Sequence, residues 1–155
     1  MTTDGATDAA AHPEVAFRDL PPGDVRWEDA FGVLQQLRTH LDAATFAAVH
    51  RTGAEQGLRF TGAFDPQDRC VGIAGWRIAD TTHVIRQLYV DDLVVDAECR
   101  STGVGAALLR HLESLARVAG CRVITLDSGH QRTDAHRFYR REGCEDRSAH
   151  FAKDL

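Results

Sequence analysis

The run Arg100-Ser101-Thr102-Gly103-Val104-Gly105-Ala106 constrains the fold more than any other stretch of this chain. The apolar residues of 88–95 before it read as a strand. The residues 103–119 after it read as an amphipathic helix with Leu108, Leu112, Leu115 and Ala119 on one face. A strand that gives way to a helix through two glycines must turn tightly, and glycine allows the backbone shapes such a turn needs. The first turn of the helix carries N–H groups with no intrahelical partner, and the helix dipole adds partial positive charge. Together they form a site for a phosphate. Arg100 adds a permanent cation able to reach a phosphate oxygen.

Two well-known phosphate loops do not fit. A dinucleotide fingerprint needs Gly or Ala three residues after the second glycine, and that position is Leu108. A nucleotide-triphosphate loop needs Gly-Lys followed by Ser or Thr, and the chain has no such run. The remaining pattern is Arg-x-x-Gly-x-Gly. The alternative to a phosphate site is a helix start whose glycines serve close packing.

A chain of 155 residues fits one domain and can bury a core without staples. Hydrophobic residues at 43% and charged residues at 26% read as globular rather than disordered. A formal net charge of −5 argues against a general nucleic-acid binder, which would carry a basic face. Cys70, Cys99, Cys121 and Cys144 form no CxxC pair and no close His/Cys cluster, so no metal is expected. There is no signal peptide and no apolar run of about 18 residues, which points away from a membrane and to a cytoplasmic protein with reduced thiols.

Residues 1–13 read as a disordered tail and 14–155 as a single domain. A short strand is expected at 15–17, then helices over 27–40 and 42–56, the second capped by Asp42. Strands follow at 58–64 and 70–79, joined by the turn Asp65-Pro66-Gln67-Asp68, and then at 83–95. After the 103–119 helix, Gly120 stops the chain. A strand at 121–126, a helix at 133–142 and a final strand at 144–153 complete it. Hairpin-ordered strands followed by β-α-β-α-β predict an α/β fold. Its sheet is mixed and mostly antiparallel, with about six to seven strands and about four flanking helices.

A second motif lies near the C-terminal end: Asp134-Ala135-His136-Arg137-Phe138-Tyr139-Arg140-Arg141-Glu142-Gly143-Cys144. Its Ala-x-x-Phe-Tyr-x-x-x-Gly pattern after an apolar strand, together with the Arg-x-x-Gly-x-Gly loop, resembles the GCN5-related N-acetyltransferases (GNAT). Cys144 stands where that family has an aromatic residue. The resemblance covers residues 58–155 by motif and 15–57 by element order alone. Locally, the 132–143 segment and the His-Phe-x-Lys-x-Leu-like tail look like aminoalkylphosphonate N-acetyltransferases.

The resemblance implies acetyl-CoA as co-substrate. Its pyrophosphate would sit on the amides of Ser101, Thr102, Gly103, Val104, Gly105 and Ala106 beside Arg100. Its pantetheine arm would bond to main-chain groups of Leu93, Val94 and Val95, as an added strand would. An amide near Leu93 or Val94 would polarise the thioester carbonyl. It also implies Tyr139 as the acid that protonates the leaving thiolate, the alternative being an aromatic ring packed on the cofactor.

The acceptor sets a further need. An alkyl amine of pKa about 10.4 is protonated at pH 7, and freeing the nucleophile costs about 4.6 kcal/mol, so a base or water chain must take that proton. Strand alternation puts Tyr89 and Asp91 on one face and Asp92 on the other. The resemblance implies a base at the positions of Tyr89 and Asp91, and since position 89 is a tyrosine, Asp91 is the candidate, directly or through water. The alternative is that it binds the ammonium group or makes a salt bridge.

The function this implies is acetyl transfer from acetyl-CoA to a primary amine of a small molecule, by direct attack in a ternary complex. A non-catalytic acyl-CoA sensor and a peptide or protein N-acetyltransferase are the alternatives. Pairing of sheet edges into a homodimer is compatible with the resemblance.

Overall fold

A computed structural model of the chain describes residues 13–155. The tail expected at 1–13 lies, but for Pro13, outside them. In chain order the described elements are β1 (Ala16–Asp19), α1 (Trp27–Leu37), α2 (Ala43–Glu55), β2 (Arg59–Phe64), β3 (Cys70–Thr81), β4 (Ile85–Val95), α3 (Val104–Val118), β5 (Val123–Leu126) and α4 (Thr133–Arg141). The strands form one sheet in the order β1-β2-β3-β4-β5. The first four pair antiparallel, and β5 joins β4 in parallel.

The local signals explain most of these elements. Asp42 caps α2 by accepting from the Thr45 N–H at 2.7 Å. Asp65 closes the β2–β3 turn by accepting from the N–H groups of Gln67 and Arg69. The apolar stripes of the helices cover the sheet from both sides. On one face α1 and α2 bury Leu34 and Phe46 with Phe60, Phe64, Ile73 and Val94. On the other, α3 buries Val104, Leu108 and Leu112 with Leu88 and Val90. The helix comes close because β3 has Gly72 beneath it: a Cβ there would lie 2.9 Å from Leu108 and 3.0 Å from Val104.

Two sequence expectations need correction. Residues 144–153 form no strand, so five strands are described where six to seven were expected. A strand exists only where a partner accepts its main-chain bonds, and among the described residues none pairs with that segment. The second correction concerns β4. Gly75 pairs with Asp92, but its neighbour Trp76 pairs with Val90, which leaves Asp91 as an extra, unpaired residue: a β-bulge. Before the bulge Leu88 and Val90 face α3. After it Leu93 and Val95 face α3, and Val94 faces α1 and α2. Asp92 therefore shares the α1/α2 face with Asp91 and does not point the opposite way. Simple alternation fails there because the bulge adds one residue to the count.

Candidate active site

The end of β4 and the start of α3 frame a cavity of about 690 Å³. Of the residues singled out in the sequence, Leu93, Val94, Val95, Arg100, Ser101, Gly103, Val104, Gly105, Ala106 and Tyr139 all line it. Two motifs far apart in the chain thus meet across one space, because β5 returns beside β4 and delivers α4 opposite α3. Thr102 does not line the cavity; its hydroxyl turns back to donate to the Cys99 carbonyl.

The loop is shaped as an anion cradle. Ser101 has φ 63° and Gly103 has φ 89°, two left-handed residues flanking Thr102, and such alternating backbone makes anion-binding concavities. No side chain caps that helix end, so its first amides stay free for a ligand. At Gly105 a Cβ would stand 3.4 Å from Val95 Cγ2 and 3.5 Å from the Phe138 ring, which is ordinary contact. The protein itself does not require a glycine there; a ligand backed against the helix would.

The sequence reading assigned no role to the arginines of the opposite wall. Arg132, Arg137 and Arg141 line the cavity together with Arg100. Guanidinium groups are permanently charged, and although Asp134 on the same wall pairs with Arg137, four arginines against one carboxylate suit the cavity to a polyanion. The signal was present in the Arg-rich 132–141 segment, but an exposed short helix normally just solvates such charges. Burial pushes the Tyr139 hydroxyl above the ordinary tyrosine range, with Arg132 opposing, so it holds its proton at neutral pH.

Asp91 lies outside this cavity. Both its carboxylate oxygens accept from Arg77, at 3.0 Å each, in a fork-to-fork pair. Arg77 also lines a second, more open cavity of about 410 Å³ with Thr52, Gln56 and Leu58. Beside it Asp92 accepts from Arg38 Nε at 2.6 Å, and Arg38 Nη2 donates to the Asp91 carbonyl at 2.9 Å. Arg38, just past α1, thereby ties down the bulge that sets the direction of the next three residues. Burial raises the Asp92 carboxyl, against the lowering influence of Arg38. Tyr89 donates to Asp127 at 2.7 Å, and burial with that carboxylate pushes its hydroxyl up to about 12. None of these partners could be read from the sequence, since each pairs residues distant in the chain.

The model of the family described as "Acetyltransferase (GNAT) family" matches residues 22–144. The N-acetyltransferase YhdJ of Bacillus subtilis (strain 168) is 33% identical over 113 residues, covering 73% of this chain and 80% of that protein. The aminoalkylphosphonate N-acetyltransferase of Salmonella typhimurium is 39% identical over 66 residues, 43% of each chain. Among solved structures, a Trypanosoma brucei acetyltransferase superposes with a TM-score of 0.74 at 24% identity, over 92% of this chain and 100% of that one. The structure titled AAC(6')-Iy in complex with the bisubstrate analog CoA-S-monomethyl-acetylneamine superposes with a TM-score of 0.72 at 19% identity, over 91% of this chain and 99% of that one.

Proposed function

The chain belongs to the acetyltransferase (GNAT) family, an acyl-CoA-dependent enzyme with acetyl-CoA as co-substrate, and we propose that it acetylates a primary amine of a small molecule. The observation that carries this reading is one cavity where 93–95, the part of β4 that β5 leaves unpaired, meets the 100–106 loop and Tyr139. Acetyl-CoA supplies an activated acetyl thioester. The free amides at the start of α3 and Arg100 hold its pyrophosphate, and the main chain of Leu93, Val94 and Val95 holds the pantetheine arm and polarises the carbonyl. The Arg132, Arg137 and Arg141 side chains add charge for further phosphate.

The acceptor amine enters from the α1/α2 face, beside the two carboxylates of the bulge, and attacks directly in a ternary complex. Asp91 takes the ammonium proton through a water, its lone pairs beyond the Arg77 fork remaining available. Tyr139, kept protonated by burial, gives its proton to the departing thiolate. The Arg77-lined cavity accommodates the body of the acceptor. The Salmonella relative's name supports a small amine, as does the neamine-derived analog bound to the structural neighbour.

We further propose that the protein is a cytoplasmic homodimer; its four cysteines are free thiols, which suits a reducing compartment. The test is thiol release from acetyl-CoA across primary amines, including aminoalkylphosphonates, aminoglycosides, polyamines and peptide N-termini. Turnover confined to small amines supports the proposal, and turnover with peptides alone overturns it.

A further inference from the structure

Among the arginines that α4 and its approach bring to the cofactor cavity, Arg132 is the one left uncommitted. Arg137 pairs with Asp134. Arg141 stands 3.8 Å from Glu142, with its guanidinium 5.6 Å over the Phe138 ring. Arg132 is bonded through its main chain, donating to the Gly129 carbonyl at 3.0 Å and accepting from the His136 N–H at 3.1 Å. Its side chain caps nothing, is exposed, and has no charged partner among the described residues.

Its place on the helix aims it at Tyr139. Arg132 is the N-cap of α4, and Ala135 and Tyr139 follow on the same side, one turn and about two turns on. All three line the cavity. The residue between the two long side chains is thus an alanine, whose methyl group leaves the way open. Aromatic side chains on a helix lean back toward its N-terminus, which carries the Tyr139 ring toward Arg132. The Tyr139 hydroxyl accordingly feels opposed influences: burial raises it and the Arg132 charge lowers it. On its other side is Cys144, whose thiol burial also pushes up. The carboxylate lining this cavity, Asp134, is already held by Arg137.

A buried tyrosine is by itself a poor acid for a thiolate. The phenol's pKa is about 10 and a thiol's about 8.5, so the transfer runs uphill. Burial steepens it, because a phenolate is left where water solvates it poorly. We propose that Arg132 makes Tyr139 competent as the acid, its guanidinium stabilising the phenolate that forms as sulfur takes the proton. In that step the amine nitrogen bonds to the acetyl carbon and gives its own proton toward Asp91. The C–S bond breaks with its electron pair on sulfur, and the proton passes from Tyr139 Oη to sulfur. The phenolate then regains a proton from water. Bound acetyl-CoA displaces the water that screens Arg132 from Tyr139, so the attraction is strongest when the step occurs. Arg132 acts through Tyr139, and the inference rests on the role of Tyr139 in the proposed function.

Tyr89 and Tyr139 are the two tyrosines of the chain, so Tyr89→Phe leaves one phenol to follow. The test is fluorine NMR of that variant, labelled with 3-fluorotyrosine and titrated without ligand; the fluorine reports ionisation and brings it to lower pH. Arg132→Gln is expected to move the midpoint to higher pH. Arg132→Lys keeps the charge and should leave it near its starting value. In protein that retains Tyr89, with saturating acetyl-CoA, Arg132→Gln should lower kcat about tenfold and move the basic limb of the pH profile upward. Arg132→Lys should restore most of that rate. A midpoint indifferent to Arg132→Gln overturns the proposal. So does an unchanged kcat with a raised KM for acetyl-CoA, which makes Arg132 a phosphate ligand only. The NMR midpoint is read without turnover, so this inference and the assignment of Tyr139 as the acid, tested by Tyr139→Phe, can fail separately.

Discussion

Gly105→Ala separates the demands of the fold from those of the ligand, because the two predict changes of opposite sign. Gly105 lies in the first turn of α3 with ordinary helical geometry, unlike Gly103, whose φ of 89° would strain any other residue. A methyl group at 105 meets Val95 Cγ2 at 3.4 Å and the Phe138 ring at 3.5 Å, so it packs without displacing either. Replacing glycine by alanine in a helix then stabilises the unliganded protein by about 0.5–1 kcal/mol. In a domain of this size that raises the melting temperature by roughly 1–4 °C. Wild type with acetyl-CoA at about 100 times Kd gains about 2.7 kcal/mol, roughly 5–10 °C. In the proposed complex the same methyl group occupies the ground where the pyrophosphate backs onto the helix amides. If it weakens binding about a hundredfold, the gain at the same ligand concentration falls to about 0.4 kcal/mol, roughly 1 °C. Differential scanning fluorimetry with and without acetyl-CoA reads both numbers. A variant less stable than wild type without ligand would refute the packing argument. An unchanged ligand shift would refute the assignment of the pyrophosphate to this helix end.

Other substitutions probe the remaining chemistry. Tyr139→Phe should lower kcat by about 10²-fold or more, the usual scale for a lost general acid, and move the basic limb of its pH profile; an unchanged rate and profile removes Tyr139 from the reaction. Asp91→Asn should reduce kcat/KM most at low pH, and a parallel drop at every pH would make Asp91 a binding residue only. Arg38→Ala leaves the Asp92 carboxylate without its partner and frees the bulge. With Arg38 itself 42% exposed, we expect a loss of about 2–3 kcal/mol, below the range for fully buried pairs. The sign with pH follows from the raised Asp92 carboxyl. The folded state holds that proton more tightly than the unfolded chain, so the penalty is full above its folded pKa and fades as pH falls through it. Urea titrations should therefore show a smaller Arg38→Ala deficit at pH 5 than at pH 8, and equal deficits would contradict this account.

The sequence alone determined the helices, the chain order of the five strands and the loop that lines the cavity. Those features are written locally: i→i−4 hydrogen bonds, the Asp42 cap, the Asp65 turn and the two glycines before α3 act within a few residues of themselves. It also marked both walls of the cavity, since the 100–106 and 134–143 motifs each carry a recognisable spacing. Tertiary structure decided what depends on pairing. The β4 bulge exists only between two strands, and it turned Asp92 to the face of Asp91, against the alternation count. The Arg77–Asp91 and Arg38–Asp92 pairs join residues from different elements, so neither charge foretells the other. The segment 144–153 has a strand's pattern but no partner among the described residues. Whether an extended segment becomes a strand is settled by the edge that meets it, and a side chain's pattern carries no record of where that edge lies.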